Sequence, residues 1–128
     1  MSASTETSRA EALIDEYCAA WSAPDPAQRA EVLARVWSHG ATYTDPKVHA
    51  PSTDRLLDHI AGVLAGRPGA KVVRTSRVDM HHGLGRFSWQ VVQADGTALP
   101  EGLDLVEFTE DVTRIRRIVG FFGPLKRD

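Results

Sequence analysis

The sequence predicts an α+β domain in which three helices near the N-terminus pack on a strongly curved antiparallel sheet. Two observations predict it. Apolar residues recur at three- and four-residue spacing as far as Leu64, the period of one helix face. From Ala70 onward, β-branched runs alternate with Gly-containing turns, the pattern of a strand meander. A chain of 128 residues holds one core and leaves too little for a second.

Residues 1–7 are small and polar and read as a flexible tail, with one domain over 8–124 and a second tail over 125–128. Ser8 and Glu11 have capping-box spacing, and the helix after them places Ala10, Leu13, Ile14, Tyr17, Cys18 and Trp21 on one face. Asp25 caps a second helix with Pro26 at its first position. The inward stripe of that helix is Ala30, Leu33, Ala34 and Trp37, and Gly40 lies just past its end. Ala41 to Asp45 is extended, and Lys47 to Ser52 is a loop after Pro46. Ser52 or Thr53 caps a third helix with the stripe Leu57, Ile60, Ala61 and Leu64, stopped by Gly66-Arg67-Pro68-Gly69. Strands follow over 70–80, 84–93, 99–108 and 114–122, with a hairpin signal at Asp95-Gly96.

A net charge of −2 argues against a nucleic-acid binder, which needs a basic face. With one cysteine, Cys18, an intramolecular disulfide is impossible and a cysteine-based zinc site is not expected. No apolar run reaches the length of a membrane span and no secretory signal is legible, so the expectation is a soluble, cytoplasmic protein. Phosphate loops, dinucleotide fingerprints and Gly-x-Ser-x-Gly elbows are missing from the sequence.

Asp104 is the most informative single residue. It interrupts an apolar strand, and alternation puts it on one face with Val106 and Phe108. Either it pairs with Arg86, Arg114 or Arg116, or it faces a pocket in which burial keeps its carboxyl protonated. Ile118, Gly120 and Phe122 share a face of the last strand. Asp45 before Pro46 is either a turn former or a base. Tyr17 is either a core tyrosine or a ligand-facing hydroxyl. His81 and His82 point to opposite faces, which leaves one of them able to enter a pocket. His39, His49 and His59 show no metal-ligand spacing. Leu105, Glu107, Val119 and Phe121 form a mixed apolar outer face suited to a homodimer.

The element order, together with Tyr17, the run Tyr43-Thr44-Asp45-Pro46, the strand Gly102 to Phe108 and the ending Ile118 to Pro124, resembles the NTF2-like superfamily. Within it the chain is similar to the SnoaL-like and ketosteroid-isomerase-like members. The resemblance implies a cystatin-like cone with an apolar pocket between helices and sheet. Carried over from the isomerases, it implies Asp45 as general base, and Tyr17 with a protonated Asp104 as oxyanion donors. It further implies Val106, Phe108, Ile118, Phe122, Trp37, Ala61 and His82 as substrate contacts. Trp37 and Ala61 stand where those isomerases carry supporting tyrosines, and Lys47 and His49 follow Pro46, so the steroid-specific pattern is not reproduced. The expectation is a small apolar or aromatic ligand, no cofactor and no metal. The activity is either cofactor-free isomerisation or cyclisation of a carbonyl compound, a dehydratase-type site using His81 or His82, or binding without chemistry.

Overall fold

A computed structural model describes residues 3–127 of the chain. The first helix, α1 (Ala3–Ala20), starts at Ala3, so Thr5 to Thr7 are helical and Ser8 is interior to the helix. Met1, Ser2 and Asp128 lie outside the described residues. Glu11 does not close a capping box. Its carboxylate accepts from Arg77 Nε at 2.6 Å and from the Val78 amide at 2.9 Å, tying α1 to the sheet. The six residues expected on the inner face of α1, from Ala10 to Trp21, are all buried.

The second helix, α2 (Pro26–Val36), is capped by Asp25, whose side chain accepts from the Ala27 amide at 3.1 Å. Its buried face is Arg29, Val32, Leu33 and Val36. Trp37 instead begins β1 (Trp37–Asp45), and Gly40 lies inside that strand where its register shifts. Val48–Ala50, expected as loop, forms β2 and pairs antiparallel with the end of β1. The third helix, α3 (Thr53–Gly66), is capped by Ser52, which accepts from the Arg55 amide.

The strand expected over 70–80 breaks into β3 (Lys71–Arg74) and β4 (Asp79–His81). These take the two halves of one edge of β5 (Leu84–Val92). On its other edge β5 pairs with β6 (Gly102–Phe108), which pairs with β7 (Ile115–Phe122). β1 then pairs with β7 in parallel, so the curved, unclosed sheet is mixed rather than antiparallel throughout. The strand order is β2-β1-β7-β6-β5-β3, with β4 beside β5.

Inward residues of the central strands meet α1 and α2. Ile14, Leu33, Leu56, Ile60, Ile115 and Ile118 are fully buried there. Each such side chain contributes about 1.5–3 kcal/mol of hydrophobic stabilisation. Among the described residues, no helix is long and apolar enough to cross a membrane.

Candidate functional site

The inner face of the sheet is filled along only part of its length. Val106, Phe108 and Ile118 pack into the core with α1, but Gly102, Asp104 and Phe122, toward the other end of the same strands, border open space. That space is a cavity of about 850 Å³. Its walls are the second half of α1 (Tyr17, Cys18, Trp21), the end of β1 (Tyr43, Asp45), α3 (His59, Val63) and the strands β5 to β7. Two carboxyl groups, Asp45 and Asp104, and the imidazole of His59 therefore share one largely apolar chamber.

Asp45 is buried and fully engaged. One carboxylate oxygen, Oδ1, accepts from the amides of Lys47 at 2.8 Å and Val48 at 3.1 Å, which closes the turn after β1. The other, Oδ2, accepts from the Tyr43 hydroxyl at 2.7 Å and meets His59 Nε2 at 3.3 Å. A carboxylate offers about four lone-pair sites, and these four partners use them. Since a carboxylate oxygen can only accept, Nε2 of His59 donates, and in the neutral imidazole the lone pair then lies on Nδ1, which has no hydrogen bond among the described residues. The imidazole is further held by Trp21, edge-on at 5.6 Å, and by Tyr43 at 5.7 Å.

Asp104 has a different environment. It is 6% exposed and has no cationic partner among the described residues: Arg86 pairs with Asp79, and Arg114 donates to the carbonyls of Ala34 and Arg35. Its Oδ1 accepts from the Trp89 indole N–H at 2.8 Å. Burial pushes its carboxyl up to about 7; the Trp89 bond opposes the rise and the Asp45 charge adds to it. Two glycines make this geometry possible. Gly102, paired with Trp89 across the strands, leaves room for the indole to lie over it. Gly120, paired with Asp104, leaves room for the carboxyl; a Cβ there would sit 2.8 Å from Oδ1.

Tyr17 is buried and stacks on Trp37 with ring centres 5.8 Å apart. Burial, then the neighbouring Tyr43 and Asp104, hold its hydroxyl well above the usual phenol range, so it remains a donor. Burial and the Asp45 contact raise Tyr43 in the same way. The Cys18 thiol is pushed up to about 12, mainly by burial, which makes it a poor nucleophile.

The structure thus brings Tyr17, Asp45, Asp104 and Phe122 to one cavity. It does not bring the other expected contacts there. Val106, Phe108, Ile118 and Trp37 are core residues, because α1 and α2 cover that end of the sheet. Of the expected stripe Ile60 is fully buried and Leu57 and Leu64 pack against the core, but Ala61 is exposed, because the inward face of α3 centres on Leu56 and Ile60, with Val63 beside them. His82 is exposed and lies with His81 at the β4–β5 turn, their Nδ1 atoms 3.2 Å apart and both outside the cavity. His59 was not singled out from sequence. The signal was its place three residues after Leu56 and four before Val63, on the true inner face of α3. Among the described residues no group of three metal-ligating side chains occurs.

No family model and no curated protein matches the chain. Solved structures do. A candidate isomerase of the SnoaL-like family from Agrobacterium tumefaciens is 26% identical, with a TM-score of 0.83 over 91% of this chain and 99% of that one. The chain has the NTF2-like fold and is similar to the SnoaL-like branch of that superfamily. An NTF2-like superfamily protein from Salmonella enterica shares the fold at 15% identity, with a TM-score of 0.70 over 99% of this chain and 96% of that one. So does a SnoaL-like candidate polyketide cyclase from Jannaschia at 12% identity, with a TM-score of 0.68 over 91% and 85%.

Proposed function

We propose that the cavity binds a small, largely apolar carbonyl compound and moves a proton on it without a cofactor. The observation that carries this reading is the His59–Asp45 pair in the same apolar chamber as a buried Asp104 whose carboxyl is held by Trp89 and by no cation among the described residues. Asp45 gives its lone pairs to the turn, Tyr43 and His59, so the base role passes to His59 Nδ1, with Asp45 as the positioning residue. His59 removes a proton from the carbon beside the carbonyl. The charge moves to the carbonyl oxygen, which accepts from Tyr17 and from the protonated oxygen of Asp104. Trp89 occupies Oδ1, which leaves Oδ2 for that proton. Returning the proton to a different carbon is isomerisation; attack by the carbanion on a second carbonyl is cyclisation. Both descriptions occur among the SnoaL-like structures similar to this chain. In this reading the protein acts as a homodimer through the outer sheet face, where Leu105 and Phe121 are 43% and 51% exposed.

The test uses substituted naphthols, whose phenolate stands in for the enolate oxygen. Binding is expected to strengthen with phenol acidity and to weaken about tenfold or more in Tyr17→Phe, the loss of one hydrogen bond to a charged oxygen. Deuterium exchange at the α-carbon of small cyclic enones is expected in the wild type and lost in His59→Ala, with naphthol binding retained. Binding indifferent to acidity and to Tyr17, with no exchange, would make the cavity a ligand carrier and Asp45 a turn clamp.

A further inference from the structure

We infer that the ligand of this cavity carries a carboxylate at the end remote from the reacting carbonyl, and that Arg67 reads it. The inference rests on the reading of the cavity as a ligand site. Among the described residues, the acidic side chains that line it, Asp45 and Asp104, lie with the chemical groups. Its rim carries two cations, Lys47 and Arg67. Neither is in a salt bridge among the described residues.

The two rim cations are not equivalent. Lys47 is two residues from Asp45, beside the acid–base groups, on an exposed turn. Arg67 follows the last turn of α3, about 12 Å from His59 by helical rise. Its backbone is fixed on both sides: its amide donates to the Leu64 carbonyl at 3.2 Å, and its carbonyl accepts from Ala70 at 3.1 Å. Its side chain is exposed and makes one hydrogen bond, Nη1 donating to Gln93 Oε1 at 2.9 Å. The Nε–Nη2 edge, which takes a carboxylate side-on through two parallel bonds, has no hydrogen bond among the described residues. That one side-chain bond and the fixed backbone orient the guanidinium before an anion docks. The expected ligand is therefore an apolar, ring-sized body with a carbonyl at one end and a carboxylate at the other.

The experiment compares neutral hydroxyarenes with their carboxylated counterparts: naphthol with a hydroxynaphthoic acid, and hydroxybiphenyl with a hydroxybiphenyl carboxylic acid that places the charge further out. Affinities are measured on wild type, Arg67→Gln, Gln93→Leu and Lys47→Gln. At least one carboxylate is expected to bind about tenfold tighter than its neutral parent. That gain should shrink with added salt, vanish in Arg67→Gln, weaken in Gln93→Leu and persist in Lys47→Gln. No gain at either length, a gain that survives Arg67→Gln, or a gain lost only in Lys47→Gln overturns the inference. If it alone fails, the neutral parents still bind and still depend on Tyr17. If the parents do not bind, the ligand-site reading falls with it.

Discussion

Replacing Asp104 by Asn removes one titration while preserving shape, because the Trp89 indole can donate to the amide oxygen as it does to Oδ1. The folded carboxyl holds its proton to about 7, against an ordinary value of 3.8. Between those values the unfolded chain has released the proton and the folded chain keeps it. The folded state then binds more protons, so wild-type stability falls as pH rises, by about 1.4 kcal/mol per unit. Across the window the loss is about 4 kcal/mol, complete above pH 7. Below the ordinary value both states are protonated and the contribution disappears. Urea unfolding of wild type and Asp104→Asn in half-unit steps from pH 4 to pH 8.5 isolates this one group, since other titrations largely cancel in the difference. The two proteins should be nearly equal at the acid end. The variant should gain steadily up to neutrality, reaching a midpoint about 2 M higher for a slope near 2 kcal/mol/M. Parallel curves, or a gap that opens toward acid, would refute the reasoning: Asp104 would then be ionised and compensated, and could not donate to an oxyanion.

Gly120→Ala places a methyl 2.8 Å from Asp104 Oδ1, so the carboxyl must turn away; a loss of about 1–3 kcal/mol in thermal or urea unfolding is expected, with naphthol binding reduced in a protein whose circular dichroism is unchanged. Leu105→Asp with Phe121→Asp should yield a monomer by light scattering where the wild type gives a dimer, with the interior ligand site intact; a monomeric wild type would sink the dimer reading.

Much of the fold was legible because local rules set it. The inner face of α1 follows from spacing alone, and the caps at Asp25 and Ser52 follow from side chains that reach their own backbone. Errors began where a neighbour decided the outcome. Trp37 has helical spacing but pairs with Ile115, so β1 claims it and α2 turns a different face inward. On α3 the inward face centres on Leu56 and Ile60, which leaves Ala61 exposed and brings His59 to Asp45. The parallel pairing of β1 with β7 joins segments more than seventy residues apart, beyond any periodicity.

Local rules alone place Asp104 on one strand face with Val106 and Phe108, Tyr17 on the apolar face of α1, and Asp45 at the end of an extended segment, since these follow from strand alternation, helical spacing and Pro46. Only the tertiary structure decided what those groups can do. It left Asp104 without an arginine, occupied the lone pairs of Asp45, and left Nδ1 of His59 without a hydrogen bond in the cavity. The reason is physical. Which face a side chain takes is a property of its own backbone, but its charge state and its unused hydrogen bonds depend on groups that other elements bring within about 3 Å.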